Sequence, residues 1–586
     1  MLKRTRYCGE ARAGDIGRGV VVSGWVASWR DHGGVVFIDL RDRTGLVQVV
    51  FRPEPDAALH RAASELRKEY CVSVRGRVDA RPEGMQYPNM PTGDVEIVAS
   101  ELEVHSASEP APFDVERPGE LSLDVRLRYR FLDLRRPEVF RIFQCRHRTL
   151  QVTRRYFDEH GFIEVETPFL TKSTPEGARD YLVPSRTMPG CFYALPQSPQ
   201  LFKQILMVGG LDRYFQVVKC FRDEDVRATR QPEFTQIDIE MSFVDEGDVM
   251  ACTEGLMERL FREVLGVQIA LPLPRIRYAD ALARYGTDAP DVRFALEIRD
   301  VSDVAAACEF QVFRRAVQDG GRVRGICVPG GAAMPRSEID GLVEWVKQFG
   351  LAGLAWFKLE GGKAQGGVGK FLKEGEVAAI TGRFGAEDGA LLVFIAAPAR
   401  QGDVALAHLR RHLARKLGLI PEGRFELCWI VEPPAFELDL QTGQLTFPHH
   451  PFTAPYPEDI HLLDSDPTSA RSRAYDLVLN GVELGGGSIR IADHNLQMRI
   501  FKILGYTQEE VEQRFGFLIN ALRYGPPPHG GLALGVDRLV GGMLGLEDIR
   551  ETIAFPKTQR AVCMLTGAPG PVDEAQLREL GIRVDR

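Results

Sequence analysis

Three stretches of this 586-residue chain bring together residue types that could act on a phosphorylated substrate. "FRDEDVRATRQPEFTQIDIE", Phe221 to Glu240, sets an arginine directly before three acids, then a polar loop, then the alternating run "FTQIDIE". It reads as a hairpin with Arg222 at its mouth, where a two-pronged guanidinium would hold a phosphate and stabilise charge developing on it. A solvated, salt-bridged surface loop has the same composition. "HGGLALGVDR", His529 to Arg538, reads as a glycine-lightened strand that ends in Asp-Arg and runs into a helical "LVGGMLG". A second arginine there could reach the far phosphates of a nucleotide, and the small residues would leave room for a purine. A plain strand-to-helix turn with a surface arginine fits as well. "ELGGGSIRI", Glu483 to Ile491, places three glycines between an acid and an arginine. It lacks the Gly-Lys-Ser/Thr ending and following helix of a phosphate loop. Its flanks, "YDLVLNGVEL" and "SIRI", alternate and are rich in β-branched residues, so they read as strands. Glycines inside a strand mark a bulge or a place where something lies against bare backbone.

Such residues need a scaffold, and a chain of this length exceeds one core, so about three to five domains are expected. With 44% apolar and 26% charged residues it has the composition of a globular protein. No run of about 18 apolar residues occurs, and "MLKRTRYCGEARAGD" lacks the apolar centre of a secretory signal, so a cytoplasmic location is expected. The ten cysteines are dispersed without a C-x-x-C pair, which argues for reduced, buried thiols and against zinc or redox chemistry. A net charge of -8 gives no overall basic footprint of indiscriminate nucleic-acid binding. Any such contact falls to a local surface, and the first fifty residues hold eight Lys or Arg against five Asp or Glu.

From Val20 to about Ser100, five short alternating segments separated by Gly, Pro and Asp turns carry one helix-like stretch, "DAALHRAASELRKEY", after the third. That order matches an OB-fold, a small barrel that binds oligonucleotides, although another small β-barrel would read alike. "SASEPAPFDVERPGE" follows as a proline-punctuated linker. In "VFRIFQCRHRTLQVTRRYFDEHG", Phe143, Leu150 and Phe157 are spaced for one helix face, and Gly161 is placed as a C-terminal stop. Strands joined by charged loops come next. From about 290 to 420 the pattern changes to small-residue-rich strands and turns with helices between, as in a module inserted into a larger domain.

Helix-strand-proline ("EVETPFL", Glu164 to Leu170), then Phe-Arg-Asp-Glu, then Gly-x-Asp-Arg is the series that defines class II aminoacyl-tRNA synthetases. With "STPEGARD", "ALPQSPQLFKQ", "FRDED", "RQPEFTQID", "HHPFT", "GGGSIRI" and "PPHGGLALGVDR" in order, the chain resembles the bacterial-type aspartyl-tRNA synthetases along nearly its whole length. The resemblance implies an α+β multidomain fold: an OB-fold anticodon-binding domain at 1–108 and a linker or hinge at 109–135. A class II antiparallel-sheet catalytic domain would span 136–290 and 421–556, split by an inserted α+β domain at 291–420 and followed by a C-terminal extension at 557–586. It implies formation of an aminoacyl-adenylate from L-aspartate and ATP, then transfer to the terminal ribose of tRNA. Positioning and cations would supply most of the catalysis.

By the same resemblance Arg222 holds the α-phosphate and Arg538 the γ-phosphate, as the catalytic pair, while Glu224 and Gln231 contact the adenosine. Asp223, Gly535, Val536 and Asp537 belong to the ATP site with them. Asp476 and Glu483 are the Mg²⁺ carboxylates, hard oxygen ligands whose shell the nucleotide completes. The run Gly485 to Gly487 lets nucleotide and amino acid lie on bare backbone. Arg490 forks onto the aspartate side-chain carboxylate with Lys203 beside it. Glu176, Gln200 and Asp238 receive the α-ammonium group, Glu176 from a mobile loop, and His449 stands near the substrate. Two cations aimed at one carboxylate are expected to reject asparagine by roughly 3 to 5 kcal/mol, since a neutral amide would leave them uncompensated. A lysyl enzyme would need an acid at position 490, and an asparaginyl enzyme would have less use for two cations.

In the barrel, the resemblance makes Phe37 a stacking face for an anticodon base, with Arg30 and Gln48 as hydrogen-bonding partners. His32 and Gly84 stand where relatives that charge both tRNA-Asp and tRNA-Asn carry the same residues, so relaxed tRNA choice is expected over strict tRNA-Asp specificity. A homodimer is expected, with the helix of the first motif and Pro168 at the interface, and neither membrane nor DNA as partner. The other classes considered are a catalytically silent tRNA-binding paralogue, which would have lost an ATP arginine or a metal acid, and an adenylate-forming amide synthetase, which would not need the barrel.

Overall fold

The computed structural model describes residues 1–585 apart from 118, 120, 175, 176, 440 and 441. The chain groups into two compact units, residues 1–147 with 550–571, and residues 148–549 with 572–586.

In the first unit, strands β1 (Gly19–His32), β2 (Val35–Asp42), β3 (Gly45–Phe51), β4 (Cys71–Ala80) and β5 (Val95–Ser106) close a barrel in the order β1-β2-β3-β5-β4. Alternation decides the faces: Val36, Ile38 and Leu40 are fully buried inside, and Phe37 and Asp39 between them face outward. The helix Ala57–Ser64 sits between β3 and β4, its free amides capped by Asp56 Oδ1 at 2.9 Å from the nitrogens of Ala58 and Leu59. This is the strand order expected of an OB-fold.

The segment read as a linker is fastened to the barrel. Phe113 and Val115 are buried, and short helices run over Leu123–Arg128 and Arg130–Asp133. Arg41, 2% exposed, forks onto Glu69 at 2.7 and 2.9 Å and reaches Glu116 at 2.6 Å. Arg135 closes the network on Glu69 at 2.6 Å. A sequence with many polar residues and prolines reads as flexible; here its charges are spent on buried partners.

In the second unit the helix Pro137–Glu159, which spans the boundary between units, is followed by an eight-stranded sheet. Its strands are β6 (Ile163–Glu164), β7 (Arg213–Phe221), β8 (Glu233–Ser242), β9 (Arg275–Arg277), β10 (Leu427–Val431), β11 (Ala474–Leu479), β12 (Val482–Ile489) and β13 (His529–Gly535), in the order β9-β10-β11-β12-β13-β8-β7-β6. The six central strands pair antiparallel, as expected. The outer pairs β9·β10 and β6·β7 are parallel, because each is joined by a long crossover containing helices, which allows parallel pairing.

Two sequence expectations need correction. Of "EVETPFL" only Glu164 is in a strand, because the proline cannot donate to a ladder and the chain leaves the sheet before it. On the helix, Phe157 is fully buried, but Phe143 and Leu150 are half-buried; the buried face is Ile142, Cys145, Thr149, Val152 and Tyr156. Gly161, at φ +75°, ends the helix as expected.

Between β9 and β10 the chain builds an antiparallel five-stranded sheet from Ile298–Asp300, Arg322–Val328, Ala355–Glu360, Lys363–Gln365 and Leu391–Ala397. Separate clusters cover its two faces, one around Ile326, Val393 and Leu409, the other around Val323, Leu392 and Phe394. Among the described residues no helix is long and apolar enough to cross a membrane.

Candidate functional site

The second unit carries a cavity of about 390 Å³ whose lining draws on β8, β11, β12 and β13 and on the loop between β7 and β8. The glycines explain why strands so rich in side chains leave this space. A Cβ on Gly485 would lie 1.9 Å from the Ala533 carbonyl oxygen, and one on Gly486 would lie 2.1 Å from Asp476 Oδ1. One on Gly487 would lie 2.1 Å from the Gly531 carbonyl and 2.8 Å from the Tyr475 ring. The run is therefore required by neighbouring strands and by the Asp476 carboxylate folded across Gly486, its cross-strand partner. All three glycines also line the cavity, so close strand approach and bare backbone coincide.

Arg222 lies at the end of β7, its guanidinium carbon 5.0 Å from the Phe234 ring centre and its Nε 3.4 Å from the Gln197 carbonyl. Arg538 lies in the first turn of the helix Val536–Leu544, with Nη1 donating to the Glu483 carbonyl at 3.0 Å and lying 3.5 Å from Glu483 Oε1. Both line the cavity, with Glu224, Gln231, Asp476, Glu483, Gly535 and Asp537. Asp537 also accepts the Thr235 amide at 3.0 Å, tying that helix to β8.

Deeper in, helix Gln200–Val208 brings Lys203 onto β8. Its Nζ is 3.0 Å from Asp238 Oδ1, 3.1 Å from Asp238 Oδ2 and 3.3 Å from Glu240 Oε2, with all three residues at most 1% exposed. Arg490 meets Glu240 side-on, Nε to Oε1 at 2.8 Å and Nη2 to Oε2 at 2.9 Å. Its Nη1 reaches Ser488 Oγ at 2.6 Å and His450 Nε2 at 2.9 Å. Two buried cations of the cavity lining are thus met by two buried carboxylates, Asp238 in the lining and Glu240 outside it. The expected rejection of asparagine by uncompensated charge needs correction accordingly, because Asp238 and Glu240 already balance Lys203 and Arg490. Only the direction of the donors is left to distinguish a carboxylate from an amide.

Burial pushes the Asp238 carboxyl up to about 6, against the pull of Lys203 and with the push of Glu240. Glu240 feels the same burial but is held below the ordinary carboxylate range, because Arg490 and Lys203 outweigh it. Burial lowers His449 and lowers His450 further, with Arg490 adding to both, so both imidazoles are neutral near pH 7. Asp476 is raised well above its usual range by burial, then by Glu483 and Asp288. Two acids that repel each other on a cavity wall suit a divalent cation. Among the described residues no group of three or more His, Cys, Asp or Glu could hold a metal ion alone.

Ionisation of Asp238 sets one prediction. If it receives an ammonium group, binding of an amino acid weakens as the carboxyl protonates, so kcat/KM for the amino acid falls as pH drops through about 6. A pH profile measured at constant ionic strength should show that acid limb, and one flat down to pH 5 would exclude the assignment.

Gln200, 5% exposed, lines the cavity with its side-chain nitrogen unpaired, and Asp238 Oδ1 makes no hydrogen bond despite its nearness to Lys203. His449 lines it too, 3.9 Å from Asp476 Oδ2. Two expected ATP residues are not in the lining. Val536 is fully buried behind it, and Asp223 faces Arg179 at 3.5 Å. Glu176 lies outside the described residues. Reading the sequence missed Glu240, His450, Ser488 and Phe234. Of these, only Phe234, an aromatic inside the "QPEF" stretch, carried a signal that could have been read.

On the barrel, β1 and β2 register Arg30 opposite Phe37, and β2 and β3 register Asp39 opposite Gln48. One outward face therefore carries all four. Arg30 Nη2 bonds Asp39 at 3.0 and 3.1 Å, and Gln48 donates to Glu96 at 2.9 Å. Phe37 is half-buried, with the exposed His32 ring edge-on at 6.5 Å. Gly84 is exposed at φ +82°, its amide donating to Gln86 at 3.0 Å.

A family profile described as tRNA synthetases class II (D, K and N) matches residues 122–559, and one described as an OB-fold nucleic acid binding domain matches residues 20–104. The chain is 53% identical over 585 residues to an aspartate–tRNA(Asp/Asn) ligase of Halothermothrix orenii, covering 100% of this chain and 99% of the other. It is 52% identical to an aspartate–tRNA ligase of Clostridium perfringens, covering 99% and 97%. An asparaginyl-tRNA synthetase from Pyrococcus horikoshii, solved with asparaginyl-adenylate, superposes with a TM-score of 0.60 at 20% identity, covering 95% of this chain and 99% of that one. At that identity the match speaks for the fold alone.

Proposed function

The chain belongs to the class II tRNA synthetases of the D, K and N group, and from that membership we infer that it is an aspartate–tRNA ligase. It joins L-aspartate to ATP as aspartyl-adenylate with release of pyrophosphate, then passes the aspartyl group to the terminal ribose of tRNA. The observation that carries this reading is the pairing, in one cavity, of two arginines at the mouth with a buried Lys203–Arg490 pair at the base.

In this reading Arg222 and Arg538, both in the cavity lining, orient the triphosphate and hold the charge that builds as the α-phosphorus is attacked. Gln231 and Glu224 face the adenosine, and Phe234 offers its ring to the base. Arg490 and Lys203 receive the distal carboxylate of aspartate through their remaining N–H groups. Asp238 and Gln200 hold the α-amino group, and neutral His449 stands beside it. Asp476 and Glu483 would hold Mg²⁺, which when bound neutralises phosphate charge. Aspartate-dependent exchange of pyrophosphate into ATP tests the whole reading, and its absence, or equal exchange with asparagine, would end it.

Arg30, Phe37 and Gln48 on one barrel face are positioned to read an unstacked anticodon loop, and the choice of tRNA follows from there. The relatives named for both tRNA-Asp and tRNA-Asn, together with His32 and Gly84, support charging of both. Aspartylation of a tRNA-Asn transcript is expected within about tenfold of tRNA-Asp, that is, with no more than about 1.4 kcal/mol of discrimination between the two. A rate hundreds of times lower would show a strict enzyme.

We assign 1–108 to anticodon binding, 109–135 to a connector, 136–290 and 421–556 to catalysis, 291–420 to the insertion and 557–586 to an extension, in a cytoplasmic enzyme. A homodimer is supported by apolar residues left in the open beside the first motif: Ile163, Phe169 and Leu170 are 50%, 46% and 54% exposed.

A further inference from the structure

We propose that Glu240 is a positioning residue for amino-acid selection: one carboxylate clamps Arg490 side-on and anchors Lys203, fixing both cations for the incoming carboxylate. The inference rests on the reading that Arg490 and Lys203 receive the aspartate side chain.

The geometry carries it. A guanidinium has five N–H groups in a fixed fork. Glu240 takes Nε and one Nη2 hydrogen, while Ser488 and His450 take Nη1. The head of Arg490 therefore has no rotational freedom about its stem. Its outer edge, Nη1 and the second Nη2 hydrogen, is the part left to a ligand once His450 yields. Glu240 Oε2 also stands 3.3 Å from Lys203 Nζ, so a single acid bridges two cations that would otherwise repel each other in a dry site. The fold makes room for this acid. Gly531 lies opposite Glu240 in the β8·β13 register, and a Cβ there would sit 2.1 Å from Glu240 Oε2. Glu240 itself is 0% exposed and absent from the cavity lining, so it acts through Arg490 and Lys203 and does not touch substrate.

Replacing Glu240 by glutamine keeps the shape but turns a donor toward the guanidinium and removes the bridge. In pyrophosphate exchange with the full chain, E240Q is expected to lose about a hundredfold in kcat/KM for aspartate, mostly in KM, the scale of loss when a binding group shifts by about 1 Å. KM for ATP should stay within about threefold. E240D, which keeps the charge on a shorter arm, should recover part of the loss and carries the comparison if E240Q does not fold. In a cycle with R490Q, the loss caused by E240Q should be much smaller than in the parent, only the part carried through Lys203 remaining, because Glu240 works largely through Arg490. An aspartate KM unchanged in E240Q, a parallel rise in both KM values, or independent losses in the cycle would overturn the proposal. If R490Q itself leaves aspartate KM unchanged, the functional reading beneath it fails instead.

Discussion

Replacing Arg222 by glutamine should lower the turnover of aspartate-dependent pyrophosphate exchange by about a thousandfold at saturating ATP, the low end of what a transition-state arginine contributes to phosphoryl-type transfer. The argument is one of unspent donors. Arg222 uses Nε on the Gln197 carbonyl at 3.4 Å and rests on the Phe234 ring. Among the described residues no hydrogen bond engages its two Nη groups, so both can turn to the phosphate as negative charge builds there. Glutamine preserves some reach but has no charge and cannot fork. Because Arg222 is partly exposed and gives up only one long hydrogen bond, to the Gln197 carbonyl, the loss should come with little change in stability, within about 0.5 kcal/mol by urea midpoint. An exchange rate within tenfold of the parent would remove Arg222 from the chemistry.

Gly531→Ala should cost about 1 to 3 kcal/mol of stability, as extra methyl groups in packed interiors do, and should impair aspartate binding as well. The added carbon would lie 2.1 Å from the Ile239 carbonyl and 2.1 Å from Glu240 Oε2. The Ile239 carbonyl belongs to the β8 backbone and can give way only by spreading the sheet. The Glu240 carboxylate can move, but only by loosening its grip on Arg490. Thermal melting of the variant, with and without aspartate, separates the two effects. Melting without ligand should drop, and the stabilisation given by added aspartate should shrink too. An unchanged ligand shift in a destabilised variant would mean that the sheet absorbs the strain without disturbing Arg490.

The barrel was legible because alternation and turn residues speak directly of faces and ends: Val36, Ile38 and Leu40 go in, Phe37 goes out. The same rule was silent at the site. "FTQIDIE" alternates, which puts Gln236, Asp238 and Glu240 on one face, and all three are buried. An alternating strand tells which residues share a face and not whether that face meets water. Glu240 was passed over for this reason, and so was the neutralisation of Arg490. The resemblance supplied which residues gather around the cavity, but Val536 and Asp223 show that belonging to a motif is not the same as reaching the ligand. In the connector, too, the sequence does not say where charges go: Glu116 and Arg135 are spent on Arg41 and Glu69 in space.

On the proposed assignment of His32 and Gly84 to tRNA choice, the backbone at Gly84 bears on how that choice could narrow. At φ +82° any side chain other than glycine's meets left-handed strain, about 1 to 2 kcal/mol for an L-residue. A single step to any residue other than glycine at 84 would first weaken the loop that presents it, so a lineage drifting toward one tRNA would find that step resisted. His32 lies exposed in a strand with no such toll. Mutational walks toward a narrower range should therefore pass through position 32 first, and reach 84 only with a compensating change in the surrounding turn.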